Sequence, residues 1–120
     1  MLFRKETIQV NAMIKDLIHE VEEESSKEKH VPHIEVSGDL IKVSCGKDIM
    51  HPSTNDHHIA WIKLYGIDKD GKFRELGSAN PTPALADPVV CFKVDAMNFK
   101  ELHALEYCNI HGIWQNKLVL

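Results

Sequence analysis

Eight histidines and three cysteines (Cys45, Cys91, Cys108) in 120 residues are the first chemical signal in this sequence. Histidine titrates near neutrality and is the commonest metal ligand, so the excess points toward a metal site. The histidines are not evenly spread. His30 and His33 flank Val31-Pro32, His51 stands before Pro52, and His57-His58 open a long apolar run. Cys108 and His111 form a C-x-x-H pair followed by Gly112. Alone that pair is weakly specific. Joined to histidines at the edges of turns, it becomes a set of loop donors that a rigid scaffold could bring together. A thiolate with several imidazoles suits iron, copper or zinc. Structural zinc needs only four ligands, and the larger supply here favours a redox-active iron centre.

Such donors need strands to hold them. HIEVS and LIKVSC alternate with the two-residue period of half-buried strands around a Ser37-Gly38-Asp39 turn. IAWIKLYGI is rich in β-branched and aromatic residues and runs into the turn at Asp68–Gly71. KFREL leads into GSANPTPALADP, a stretch whose prolines and small residues predict a loop, and VVCFKVDA, KELHALEYC and IWQNKLVL complete the set. Seven short strands predict an antiparallel β-sandwich. Cys45 and Cys91 fall within these strand patterns and read as buried apolar thiols. Trp61 and Trp114 follow the histidine-bearing segments and read as packing residues near the site or in the core. Before the strands, Val10, Ile14, Leu17, Ile18 and Val21 lie at helical spacing after an Asn11 N-cap. They predict an amphipathic helix packed on the body or on a second subunit, weakened where Glu22-Glu23-Glu24 opposes the helix dipole.

Composition bounds the rest. At 43% hydrophobic and 27% charged residues the chain reads as one globular domain. The formal net charge of -4, with no basic run, argues against a nucleic-acid binder. No apolar run approaches the roughly 20 residues that span a bilayer, and the N-terminus shows no signal-peptide pattern, so neither a membrane nor export is expected. An odd cysteine count without a disulfide framework fits the cytoplasm.

Three ordered blocks carry a family resemblance: Glu28-Lys29-His30-Val31-Pro32; His51-Pro52 with His57-His58-Ile59-Ala60-Trp61-Ile62; and Glu106-Tyr107-Cys108-Asn109-Ile110-His111-Gly112-Ile113-Trp114. From about residue 28 to the C-terminus the chain resembles the superoxide reductase family of neelaredoxins and desulfoferrodoxins. The resemblance implies an all-β fold, an immunoglobulin-like seven-stranded antiparallel β-sandwich over residues 28–120. Residues 1–27 are then an N-terminal helical extension and linker. It implies a mononuclear iron that cycles between Fe2+ and Fe3+ and passes one electron to superoxide, giving hydrogen peroxide. Carried over block by block, the four imidazoles fall on His30, His51, His57 and His111, and the axial thiolate falls on Cys108. Lys29 takes the role of the cation that draws superoxide to the open position and stabilises the developing peroxide. Glu28 takes the role of the carboxylate that closes the sixth position of the resting ferric state. Hydrogen bonds from the Asn109–His111 turn to the sulfur are expected to tune the potential. His58 points elsewhere, and His19, His33 and His103 read as surface residues.

Some relatives carry a second iron on an N-terminal four-cysteine domain. Residues 1–44 here contain no cysteine, so that centre is not expected, and electrons must come from an external, rubredoxin-like donor. The resemblance also implies a homo-oligomer, with a tetramer favoured over a dimer. Two other readings compete. A cupredoxin-like carrier would want a methionine after its last ligands, whereas the last methionine here is Met97. An immunoglobulin-like interaction domain with structural or adventitious zinc would use the same scaffold without the redox chemistry.

Overall fold

In a computed structural model, residues 12–20 and 28–120 are described. Seven strands follow one another: β1 (Pro32–Ser37), β2 (Leu40–Cys45), β3 (Ile59–Asp68), β4 (Phe73–Ala79), β5 (Val89–Lys93), β6 (Phe99–Cys108) and β7 (Gly112–Val119). They form a three-stranded sheet, β1-β2-β5, and a four-stranded sheet, β4-β3-β6-β7. Every pairing is antiparallel, as in the predicted sandwich. The inward residues of both sheets meet in one core containing Ile34, Ile41, Val43, Ile62, Leu64, Leu102 and Ala104. Burial along β6 alternates strictly through Leu102, Ala104, Glu106 and Cys108, the two-residue period that places every second side chain inside.

The topology explains why distant blocks converge. Antiparallel order brings the start of β1, β3 and β7 to the same end of the sandwich as the end of β2 and β6. The segment before β1, the long loop from 46 to 58 and the turn 109–111 therefore crowd together there. Cys45 and Cys108, both fully buried, cap the core at that end.

Three expectations change. β4 continues to Ala79 rather than stopping before Gly77. Gly77 lies under the Phe92 ring, where a β-carbon would come within 2.6 Å, so the small residue admits the aromatic and keeps the strand regular. Cys91 is exposed rather than buried. It stands on an edge strand opposite Lys42, while its neighbours Val90 and Phe92 pack on the core. The helix is limited, among the described residues, to a single turn, α1 (Ile14–Leu17), with Ile14 and Leu17 exposed rather than packed on the body. Ile18 is already extended, because His19 pairs with β7 instead of continuing the turn. Val10, Asn11, Val21 and the three glutamates lie outside the described residues.

Candidate metal centre

His30, His57, Cys108 and His111 come together at the crowded end of the sandwich. Each offers one donor atom, and the four atoms all lie within 4.8 Å of one another. Nε2 of His30 is 3.2 Å from Nδ1 of His111, which is 3.7 Å from the Cys108 sulfur. His51 adjoins this group: its ring centroid is 4.5 Å from that of His57 and 4.8 Å from that of His30.

Backbone and carboxylate partners decide which nitrogen each ring offers. A carbonyl can only accept, so His51 donates from Nδ1 to the Pro52 carbonyl at 2.8 Å and leaves the lone pair on Nε2. That Nε2, like Nε2 of His57, is buried without a hydrogen-bond partner among the described residues. Orphaned imidazole nitrogens in a cluster with a thiol are what a metal ion would satisfy, so the residues present fit a mononuclear iron. Burial, reinforced by the neighbouring imidazoles and Lys29, lowers the His51 pKa to about 4. Burial also lowers His57, with His111, His30 and Lys29 adding to it. His30 is lowered by burial too, against the opposing pull of Glu28. All three rings are therefore held in the neutral form that ligates metals.

Loop chemistry fixes the donors. Thr54 Oγ1 accepts from the His57 N–H at 2.9 Å, and the Thr54 N–H donates to the His57 carbonyl at 2.9 Å. Asn109 ties the C-x-x-H turn to this loop. Its Oδ1 accepts from the His58 N–H at 2.9 Å and its Nδ2 donates to the Asp56 carbonyl at 3.0 Å. The His111 N–H donates to the Cys108 sulfur at 3.3 Å, the kind of contact expected to tune a thiolate. His58 turns away and engages the Thr54 carbonyl through Nδ1 at 2.9 Å.

Glu28 and Lys29 flank the cluster. Glu28 Oε1 accepts from the His30 N–H at 3.0 Å and from its Nδ1 at 2.8 Å, so the carboxylate sits on the side of the ring away from the donor group. Burial works against the Glu28 carboxylate, but the hydrogen bonds from His30 and the nearby Lys29 charge outweigh it and lower its pKa. The Lys29 charge is felt at His30, His51 and His57 alike. Of the other histidines, His103 pairs with Glu101 at 3.0 Å, far from the cluster on β6, and His33 lies half-buried on β1.

A family model described as Desulfoferrodoxin matches residues 22–117. The chain belongs to the desulfoferrodoxin family. A superoxide reductase of Thermococcus kodakarensis is 46% identical over 101 residues, covering 78% of this chain and 88% of that protein. The neelaredoxin of Megalodesulfovibrio gigas is 37% identical over 109 residues, covering 74% and 84%. Among solved structures, a superoxide reductase from Giardia intestinalis superposes with a TM-score of 0.73 at 44% identity, covering 78% of this chain and all of that one.

Family motifs do not account for every residue that shapes the site. Glu106 is fully buried, its carboxylate oxygens have no hydrogen-bond partner among the described residues, and burial, with Glu28 adding to it, pushes its pKa up to about 9. Glu106 opens the third block of the resemblance without a role there, and the inward phase of KELHALEYC, which puts a glutamate among core positions, was the signal for its burial. Gly46 lies in none of the three blocks. A β-carbon there would come 2.6 Å from Lys29 Cα and 2.9 Å from the Ile49 carbonyl oxygen, so only glycine lets the 46–50 loop lie against the Glu28-Lys29 segment.

Proposed function

We propose that this chain reduces superoxide to hydrogen peroxide at a mononuclear iron held by His30, His51, His57, His111 and Cys108. The carrying observation is the convergence of three imidazoles and a buried thiol within 4.8 Å, with His51 beside them. When bound, the iron supplies the electron, so that superoxide, one electron and two protons become hydrogen peroxide. The protein supplies everything else. Lys29 presents the positive charge that draws the anion and stabilises the negative charge gained with the electron before the protons arrive. Glu28 holds His30 through its Nδ1, and released from that bond its carboxylate would be a further ligand to the resting ferric iron. The Cys108 thiolate donates electron density, moderated by the His111 N–H.

Re-reduction falls to an external, rubredoxin-like donor, and the protein works as a homo-oligomer, a tetramer before a dimer. Size-exclusion chromatography with light scattering checks the assembly, and a monomer would remove it. Residues 28–120 form the catalytic domain and 1–27 its extension. The cytoplasm suits three cysteines that are all free. No helix among the described residues is long and apolar enough to cross a membrane.

Iron analysis and the visible spectrum of the oxidised protein test the centre. The wild-type chain should bind iron in equimolar amount and show a thiolate-to-ferric band that bleaches on reduction. Cys108→Ser should lose the band, and Cys45→Ser should keep it. A band that survives Cys108→Ser, or that depends on Cys45, would overturn the assignment.

A further inference from the structure

The segment before the first motif has no role in the family resemblance, yet its residues 18–20 lie against β7 beside the metal centre. Ile18 leaves α1 in an extended conformation (φ -85°, ψ 126°) and His19 forms a parallel bridge with Trp114. The His19 N–H donates to the Ile113 carbonyl at 2.8 Å, and the Gln115 N–H donates to the His19 carbonyl at 2.9 Å. Gln115 Nε2 adds a bond to Glu20 Oε2 at 2.7 Å. These bonds lay residues 18–20 along the outer edge of β7.

This placement brings the His19 ring to 4.7 Å from the Trp114 indole, tilted by 33°. The indole in turn stacks on His30, with centroids 4.8 Å apart and planes only 15° from parallel. Its Nε1 donates to the His111 carbonyl at 3.3 Å. Trp114 therefore touches two of the residues that converge at the centre, and His19 rests on Trp114. The His30 ring needs this support. Its Nδ1 is fixed by Glu28, but that hydrogen bond leaves rotation about the bond's own axis open, and a stacked ring closes it.

We propose that residues 18–20 are a strap that clamps Trp114 against His30, with His19 a positioning residue for the first imidazole of the metal site. The inference rests on the ligand set proposed above. It gives the N-terminal segment a function: a backbone-paired edge whose single aromatic ring preorganises the centre from outside.

The test uses the full-length chain with Trp61→Phe, so that Trp114 is the remaining tryptophan, and reads two signals. One is acrylamide quenching of Trp114 fluorescence in the metal-free protein. The other is the rate at which a chelator strips Co2+ from the cobalt-loaded protein. His19→Ala should raise the quenching and speed cobalt loss by about two- to tenfold, the range that a lost aromatic contact produces. His19→Phe, which keeps a ring on the indole, should restore both. Unchanged quenching and cobalt loss in His19→Ala, or no recovery in His19→Phe, would overturn the strap. Failure of the wild-type chain to take up Co2+ would instead overturn the ligand assignment, and the strap's role with it.

Discussion

Asn109 shows how much of the site is set by a residue that never reaches the donors. Its side chain accepts from the His58 N–H and donates to the Asp56 carbonyl, joining the Cys108–His111 turn to the loop that carries His57. Asn109→Ala removes both bonds and should lower the stability of the metal-free protein by about 1–3 kcal/mol, at about 0.5–1.5 kcal/mol for each lost bond. Asn109→Asp keeps the acceptor and loses the donor, so it should fall between the two in urea denaturation. Equal stability of all three would mean that the turn is held by its backbone alone. Residue types made a pool of candidate donors legible in the sequence, five imidazoles and a thiol in the three blocks, and the family resemblance selected four of those imidazoles. What the types could not reveal was ring orientation. That depends on the Pro52 carbonyl and Glu28, which become partners only once the loop has folded. Glu106 and Asn109 stood in the third block, but nothing in the sequence showed that Glu106 would be buried without a partner or that the Asn109 side chain would tie two loops together.

Strands and turns were legible where short-range chemistry dictates them. The turn at Asp68–Gly71 is one case: Asp68 Oδ1 accepts from the Asp70 and Lys72 N–H groups, and Oδ2 pairs with Arg74 at 3.0 Å. The Lys72 N–H and the Arg74 guanidinium hold the Asp68 carboxylate below its ordinary pKa of 3.8. A carboxylate depressed in the folded state contributes stability above the unfolded value and loses it as pH falls through the folded one. The stability difference between wild type and Asp68→Asn should accordingly be steady at neutral pH and shrink only below pH 3.8. Urea midpoints across the acid range would show it, and a difference that vanished well above that value would place the stabilisation elsewhere. Close approaches between elements were less legible, because nothing local announces them. Gly46→Ala must push the Glu28-Lys29 segment or the Ile49 carbonyl aside, and overpacking of this kind costs about 1–3 kcal/mol. Thermal denaturation should register that loss, together with a slower reaction with superoxide. The short helix marks the opposite limit. Helical spacing at Ile14, Leu17 and Ile18 was real, but backbone pairing of His19 with β7 won over it.

At the scale of the whole molecule, the sandwich turns one end of each of its seven strands toward one pole and concentrates there what the sequence scatters over more than eighty residues, from Glu28 to His111. The pole also has to attract an anion to a protein whose net charge is -4. The two contributions predict opposite responses to salt. Repulsion by the net charge would be relieved as ionic strength rises, so the reaction would accelerate. Attraction by Lys29, whose charge is felt at three of the histidines, would be screened, so the reaction would slow. In the proposed role of Lys29 superoxide comes within a few ångströms of its ammonium, far inside the Debye length of about 10 Å at 0.1 M salt, whereas the net charge acts from the whole surface. The local term should therefore win. Pulse radiolysis of the wild-type protein should show a rate that falls with added salt. Lys29→Ala should react at least about tenfold more slowly at low salt, in keeping with the 10- to 1,000-fold range of focused electrostatic attraction. With the local attraction gone, its salt dependence should flatten or reverse sign while its iron content stays that of the wild type. A Lys29→Ala protein that kept the wild-type slope would move the attraction to another cation at this pole, and Lys47, in the loop that packs against Lys29, would be the next residue to change.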